Sequence, residues 1–192
     1  MAETETDAET ADAETEALAE PAPQPVRIPM AWPEVRTRLA GARNYWICTA
    51  SPDTGPHAMP VWGVWVGGRL WFSTGARTRK ARNLAVDCRV SVHLESAAEL
   101  VSLQGTAEPV PSADRPPEVD AAYAAKYAMP RTGDPGTIVI GDSPVFAVTP
   151  HLGFSWFEGA FPESMTRWRF PEAAHVTHEL GEPTGEVASY PA

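Results

Sequence analysis

The chain has 192 residues and a formal net charge of −10, but the acidic side chains are concentrated near its two ends. Residues 1–25 carry eight acidic side chains and residues 171–192 carry four, and neither segment contains Lys or Arg. Residues 26–170 therefore have a formal net charge of +2. The overall acidity does not exclude an anionic ligand for this central part, and its small basic excess disfavours nucleic acid as a partner.

No apolar run approaches the roughly 18 residues that a membrane-spanning helix needs. The first residues lack the basic and apolar regions of a signal peptide. Cys48 and Cys88 show neither metal-site spacing nor a disulfide framework. His151, His175 and His178 have no carboxylates at metal-binding spacing. The sequence therefore predicts a cytoplasmic protein with no membrane partner and no bound metal.

The composition divides the chain into a central domain and two tails. Residues 1–25 are predicted to be a disordered acidic tail, because their Ala, Glu and Thr residues offer almost no large apolar side chain to bury. Residues 26–170 are predicted to form one domain, since about 145 residues suffice for a real hydrophobic core. Residues 171–192 are predicted to be a C-terminal tail.

The first predicted elements are a helix, a short strand and a hairpin. Pro33 marks the first turn of a helix that ends near residue 41, and residues 44–50 read as a strand. Residues 57–66 are apolar on both strand faces, which is typical of a strand that is central to a barrel or lies in an interface. Pro60 within this strand indicates a bulge or a sheet edge. Gly67 and Gly68 fit a hairpin turn that leads to a partner strand.

Further strands are predicted at 69–74, 89–95, 99–110, 145–149, 154–157 and 166–170. Helices are predicted at 77–86 and 117–127, and a long loop, interrupted by residues 137–140, is predicted at 129–144. The pattern is dominated by antiparallel hairpins. It predicts a mostly β (α+β) fold of six or seven antiparallel strands with two or three helices, arranged as a closed or partly open barrel.

Four of the fifteen basic residues lie within residues 77–82, at the start of a predicted helix. The helix macrodipole disfavours cations at this end. An anion held by free backbone N–H groups and by these side chains would compensate. The alternative interpretation is a solvated charged face. The segment lacks the glycine motifs of the common nucleotide-binding loops.

Helical geometry selects the residues of this cluster that could surround a phosphate. Lys80, Asn83 and Arg79 lie along one flank of the apolar stripe, and Thr78 is placed to cap the helix. Arg82 lies on the other flank and is expected to face solvent or an acidic residue. We therefore predict a phosphate site on the Lys80 flank.

Three consecutive segments then resemble a known family: residues 57–65 (HAMPVWGVW), 70–75 (LWFSTG) and 78–84 (TRKARNL). The resemblance continues in order through residues 92–95, 104–107, 126–127 and 166–170. These segments resemble the flavin and deazaflavin oxidoreductases of the pyridoxamine 5'-phosphate oxidase-like, FMN-binding split β-barrel superfamily. They look closest to the branch that uses coenzyme F420.

The resemblance implies a split β-barrel that forms a homodimer, with the cofactor in a groove between the subunits. It implies that the segment around Lys80 binds the cofactor phosphate and that the strand around Trp62 lies against the cofactor ring. The implied cofactor-binding residues are Pro60, Val61, Trp62, Ser73, Thr74, Thr78, Arg79, Lys80 and Asn83.

The resemblance further implies an oxidoreductase that uses reduced coenzyme F420 to transfer hydride to a small organic substrate with an activated C=C bond or a similar electrophile. One alternative is an FMN-dependent oxidoreductase of the same fold. Another is a non-catalytic protein that binds a flavin, a deazaflavin or heme. Residues 167–169 (RWR) lack the histidine that true pyridoxamine phosphate oxidases carry in their Arg-x-His motif, so oxidation of vitamin B6 is not expected.

No catalytic side chain is assigned by the sequence. His57, His93 and Tyr127 are weak candidates for proton donation, since such residues are more often ordinary polar groups with satisfied hydrogen bonds. Lys126 is interpreted as a contact to a second phosphate or a polyglutamate tail, or as an exposed helix lysine.

Overall fold

The computed structural model describes residues 28–53, 55–128, 136–139, 141–172 and 180–187. The acidic segment 1–25, His175 and His178 lie outside these ranges. Three α-helices lie within them: α1 Trp32–Gly41, α2 Arg79–Val86 and α3 Pro117–Tyr127. The strands of the described residues are β1 Tyr45–Ser51, β2 Gly55–Val61, β3 Gly63–Val66, β4 Arg69–Ser73, β5 Arg89–His93, β6 Glu99–Pro109, β7 Val145–Phe157, β8 Thr166–Arg169 and β9 Thr184–Val187.

Seven of the strands form a continuous antiparallel path in the order β2-β1-β5-β6-β7-β4-β3. Strand β8 pairs with β7, and β9 pairs with β8. Strands β2 and β3 lie at opposite ends of this path, yet only Trp62 separates them along the chain. The sheet must therefore curl until its two edges meet at Trp62. This curled antiparallel sheet with three helices confirms the predicted mostly β, half-barrel fold.

Two predicted strand boundaries differ from the structure. The predicted strand 57–66 is interrupted at Trp62, because β2 pairs with β1 while β3 pairs with β4. The predicted strands 145–149 and 154–157 are one strand, β7, which pairs with β6 along its whole length across an irregularity at Gln104/Gly105. Such an irregularity admits an extra residue without ending the ladder. The local sequence of residues 150–153 predicts a break, but pairing with the distant strand β6 keeps these residues in one strand.

Gly105 shows why this irregularity needs a residue without a side chain. A Cβ atom at Gly105 would collide with the backbone carbonyl oxygen of Thr149 on β7. At the hairpin, Gly67 and Gly68 adopt φ values of 58° and 75°, which fit the predicted two-residue turn between β3 and β4. Pro60 lies on β2, at an edge of the strand path, as its missing N–H donor required.

Alternation along the strands defines the main core. Val101, Leu103 and Ala107 of β6 are buried, whereas Gln104 and Glu108 are exposed, as the sequence pattern predicts. Helix α1 adds its Trp32, Val35 and Leu39 side chains to the same core. A second cluster forms where α3 packs on β3 and β4. Within the described ranges, no helix is long and apolar enough to cross a lipid bilayer.

Strand β9 was not among the predicted elements. It lies in the segment 171–192 that was predicted to be a tail, and it pairs with β8 from Thr166↔Val187 to Arg169↔Thr184. All four of its residues are exposed. The segment lacks the apolar alternation that marks a half-buried strand, so its pairing depends on main-chain hydrogen bonds to β8 and leaves no signal in the sequence.

Candidate functional site

The seam where the curled sheet closes brings several of the predicted cofactor-binding residues together. In the β3–β4 pairing, Gly63 is opposite Phe72, and Ser73 follows Phe72 as the last residue of β4. Thr74 follows directly, and its hydroxyl lies 3.1 Å from the hydroxyl of Thr78. The end of β4 therefore connects the Trp62 seam to the start of α2.

Helix α2 begins as the sequence predicts. The Thr78 hydroxyl accepts a hydrogen bond from the Ala81 amide at 3.2 Å, and the Thr78 carbonyl accepts one from the Arg82 amide at 3.1 Å. The Thr78 hydroxyl thus satisfies one of the amides that a helix start leaves without partners, while its carbonyl accepts the first ordinary helical hydrogen bond. No acidic side chain lies in the first turn. The positive end of the helix dipole is therefore not compensated from within the helix.

Lys80 is the unusual residue of this helix. Its side chain is buried although it is charged, with only 7% of the residue exposed. Within the described residues, its ammonium group forms no hydrogen bond or ion pair, and burial lowers the pKa of Lys80. A buried cation without a counter-ion is unfavourable. The structure therefore supplies a positive charge that would be stabilised by a bound anion.

The other predicted residues of α2 divide into structural and exposed positions. Asn83 is 1% exposed, and its Nδ2 donates a hydrogen bond to the Thr49 hydroxyl of β1 at 3.1 Å. Asn83 thereby docks the helix on the sheet, with Arg79 partly buried beside it. Arg82 is exposed, as the helical geometry predicts. The Val61 side chain belongs to the core, so a ligand at the seam would meet its backbone rather than its side chain.

His57 lies closest to this charge cluster among the proton-donor candidates. It pairs with Thr49, the residue that anchors Asn83, so α2 and β2 meet at this point. The pKa of His57 is lowered, by partial burial first and then by the charges of Arg79 and Lys80. A lowered pKa means that His57 is neutral near pH 7. A neutral imidazole adds no positive charge but leaves a hydrogen-bonding group beside Lys80.

His93 and Tyr127 are tied into the fold. The His93 ring is parallel to the Trp46 ring at 6.0 Å, and its Nδ1 lies 2.9 Å from the Leu94 carbonyl oxygen. The Tyr127 hydroxyl accepts a hydrogen bond from the Gly63 amide at 2.9 Å and is 1% exposed as a residue. Burial raises the pKa of Tyr127. In this structure the Tyr127 hydroxyl is engaged by the backbone and is poorly suited to donate a proton to a substrate.

Lys126 differs from both interpretations of its sequence position. Its Nζ donates hydrogen bonds to the Gly63 carbonyl at 3.1 Å, the Tyr45 hydroxyl at 3.0 Å and the Ala40 carbonyl at 3.2 Å. Burial, with the nearby charge of Arg43, lowers the pKa of Lys126 to about 8. Lys126 is thus neither an exposed helix lysine nor free to reach a ligand in this conformation.

Arg43 was not singled out from the sequence. Its guanidinium carbon lies 5.3 Å from the Trp62 ring centroid and 5.0 Å from that of Tyr127. These distances are typical of cation–π contacts. A single arginine between a helix and a strand has no sequence signal of its own, because its aromatic partners are distant along the chain.

An open depression of about 650 Å³ lies beside the helix start, lined by Gly75, Ala76, Arg77, Thr78 and Asp142. In this lining the Asp142 carboxylate would repel an anion and the Arg77 guanidinium would attract one, so the two charges offset each other. Lys80 is absent from this lining. The favourable position for an anion is therefore the Lys80 side of α2, facing His57 and β2. Within the described ranges, no three His, Cys, Asp or Glu side chains cluster as metal ligands do.

The fold and this site place the chain in a known family. Residues 31–157 match the family model described as pyridoxamine 5'-phosphate oxidase, and the chain belongs to that family. The family includes oxidoreductases. No curated protein matches the sequence.

Solved structures share the fold at low sequence identity. A heme binding protein from Mycobacterium smegmatis is 24% identical with a TM-score of 0.58, over 75% of this chain and 60% of that chain. The chain thus spans less than two thirds of that protein. A conserved hypothetical protein from Mycobacterium tuberculosis is 26% identical with a TM-score of 0.55, over 71% and 90% of the two chains. The heme storage protein HutZ from Vibrio cholerae is 18% identical with a TM-score of 0.50, over 62% and 88%.

Proposed function

We propose that the protein is an oxidoreductase that binds reduced coenzyme F420 and transfers hydride from it to a small organic substrate with an activated double bond. The observation that carries the proposal is Lys80, a lysine of which only 7% is exposed, beside a helix start with no acidic residue in its first turn. This arrangement suits a phosphate, which is the anionic group that flavin and deazaflavin cofactors share. The cofactor would supply the hydride chemistry.

The protein's own residues would bind and orient the cofactor. Lys80 and the start of α2 would hold the phosphate, with Thr78 keeping the helix start in place. The exposed side chain of Trp62, 38% accessible, offers an apolar surface for the ring at the end of β2. Pro60 on β2 has no N–H group, so this edge presents fewer polar groups to the ring. His57 would donate a hydrogen bond near the phosphate end.

A homodimer is the second part of the proposal. Cross-strand pairing aligns Trp46 with His93, His93 with Ser102 and Ser102 with Phe154, in one row across the sheet. Alternation places this row on the face opposite the buried residues Ile47, Val92 and Leu103. Its aromatic members are half-buried in the single chain. A second copy covering this face would bury them and close the groove beside β2.

Binding of the two cofactors tests the proposal most directly. Purified full-length protein would be stripped of small molecules and titrated by calorimetry with coenzyme F420 and with FMN. We expect F420 to bind more tightly than FMN, and tighter FMN binding would favour the FMN-dependent alternative. If neither binds below high micromolar concentration, the proposal is wrong.

Turnover separates an enzyme from a carrier. Loss of absorbance of reduced F420 in the presence of an enone or quinone acceptor is the expected signal. Tight binding without turnover for a panel of acceptors would support a non-catalytic cofactor-binding protein. Hemin is a further probe, because a Soret band with a stoichiometric midpoint would support the heme-binding alternative.

A further inference from the structure

Beside the proposed phosphate site, the side chains of Trp62, Tyr127 and Arg43 form a cluster to which no role has yet been assigned. The Trp62 and Tyr127 rings are stacked, with centroids 4.8 Å apart and an interplanar angle of 6°. The Arg43 guanidinium lies about equally far from both rings. Because Tyr127 covers one face of the indole, the 38% of Trp62 that is exposed belongs to the other face and the ring edges.

The backbone next to Trp62 is held by the last turn of α3. The Gly63 amide donates to the Tyr127 hydroxyl at 2.9 Å, and the Gly63 carbonyl accepts from Lys126 Nζ at 3.1 Å. The Tyr127 hydroxyl has one proton and lies 2.7 Å from the Arg43 carbonyl oxygen and 2.8 Å from that of Gly63. Since Lys126 already serves Gly63, the proton is free to bind the Arg43 carbonyl. Both polar groups of the Gly63 backbone are thus satisfied by residues from one helix.

Packing leaves this segment little room to move. A Cβ atom at Gly63 would lie 2.8 Å from the Trp71 carbonyl oxygen and 3.0 Å from the Leu70 side chain. The Trp62–Gly63 step is therefore restrained by packing on one side and by hydrogen bonds to α3 on the other.

We propose that Tyr127 is a positioning residue: its stacked ring and its hydrogen-bonded hydroxyl hold Trp62 so that the open face of the indole receives the planar ring of a ligand bound along β2. This inference rests on the proposed function, which places a ring-bearing phosphate ligand on the same strand. The geometry adds which side chain receives the ring and what orients it. Preorganising an aromatic platform reduces the entropy lost on binding.

The extent of β2 sets the form of the ligand. His57 and Trp62 are five residues apart, which is about 16 Å of extended strand. A ligand that contacts Trp62 with its ring and Lys80 with its phosphate must carry the two groups on a connecting chain. A free nucleobase or inorganic phosphate would use only one end of the site.

A double-mutant cycle on coenzyme F420 affinity, with FMN in parallel, tests the positioning role. We expect Trp62→Leu to weaken binding about tenfold, because stacking on the open indole face is lost. Tyr127→Phe keeps the ring but removes the hydroxyl, and should weaken binding about threefold in the wild-type background. If Tyr127 acts through Trp62, Tyr127→Phe has no further effect in the Trp62→Leu background.

Lys80→Met provides the matched comparison. Tyr127→Phe and Lys80→Met should multiply in their effects on affinity, because they act on the ring and on the phosphate. Multiplicative effects of Tyr127→Phe and Trp62→Leu, or no effect of Tyr127→Phe in the wild-type background, would overturn the positioning role while leaving cofactor binding intact. If the wild-type protein binds neither F420 nor FMN, the proposed function fails and this inference fails with it.

Two further measurements distinguish a variant that fails to fold from one that folds but no longer positions Trp62. Circular dichroism and urea unfolding of each variant establish that it is folded. Should Tyr127→Phe not fold, Arg43→Met loosens the cluster from its other side. That variant should also weaken binding in the wild-type background and be silent with Trp62→Leu, and an unaltered affinity in Arg43→Met would contradict the proposal.

Discussion

At the scale of single residues, Lys80 is the strongest indication of a binding site. A charged group that is buried without a partner in the described part of the chain opposes folding, yet it occupies the first turn of the helix where an anion is most favourable. Such a conflict between stability and local environment is typical of binding sites. This conflict is the reason for which we propose an anion site at Lys80.

Replacement of Lys80 by Met tests this directly. We expect affinity for F420 to fall by about 1–3 kcal/mol, the range for a charge-assisted hydrogen bond. The ligand-free protein should be equally or more stable to urea, since a desolvated charge is removed while the apolar stem remains. Arg82→Met, on the exposed flank of the same helix, is the control and should change neither quantity. A loss of stability in Lys80→Met would show that the lysine is structural.

The titration of Lys126 predicts how the stability of the protein depends on pH. Its pKa is lowered from 10.5 to about 8 in the folded protein. The unfolded chain therefore binds more protons than the folded chain between these values, so this group makes stability rise with pH in that window. We expect a gain of roughly 1 kcal/mol in the free energy of unfolding between pH 8 and pH 9.5, reduced from the full linkage value by solvent screening.

Urea unfolding at both pH values measures this gain, and the Lys126→Met variant is the control, because it lacks the titrating group. The wild-type gain minus that of the variant isolates Lys126 from the other groups of the protein. Equal pH dependence in the two proteins would contradict the assignment.

At the scale of elements, α2 docks onto the sheet through the buried side chains of Ala81 and Leu84 and through a buried hydrogen bond of Asn83. Asn83 donates to Thr49 from a position that is almost completely buried. Helix α2 has eight residues, and so short a helix is marginal without tertiary contacts. Asn83 therefore contributes to holding Lys80 and Thr78 beside β2.

Asn83→Ala is expected to lower the free energy of unfolding by about 1–2 kcal/mol, because the Thr49 hydroxyl loses its buried partner. Affinity for F420 should fall as a consequence of poorer helix docking. Chemical denaturation and calorimetry would show both effects. The outcome that contradicts this structural role is reduced affinity at unchanged stability, since Asn83 would then contact the ligand itself.

At the scale of the whole molecule, the proposed homodimer would use the sheet face opposite the core. The row from Trp46 to Phe154 crosses several strands opposite the core. Native mass spectrometry is expected to show a dimer, and Trp46→Glu is expected to shift it towards monomer because a charge would be buried at the interface. Thr37→Glu, at an exposed position of helix α1 on the core side of the sheet, is the matched control. A wild-type monomer at micromolar concentration would contradict the dimer.

How much of this could be read from the sequence depends on the range of the interactions involved. Thr78 as a cap and Arg82 as an exposed residue follow from helical spacing, and the burial pattern of β6 follows from strict alternation. These are properties of neighbouring residues. Whether β7 is one strand or two, and whether the chain breaks at Trp62, depends on which strands pair. The local sequence does not indicate strand pairing.

The roles of the basic residues show the same division. The charge distribution along the chain already located a basic cluster in a nearly neutral domain between acidic ends. Only the tertiary structure distinguished Lys80, which is buried without a partner in the described residues, from Lys126, whose three hydrogen bonds tie α3 to α1, β1 and β3. The physical reason is that a side chain's charge and spacing are written in the sequence, whereas its desolvation and its partners arise when distant strands and helices pack together.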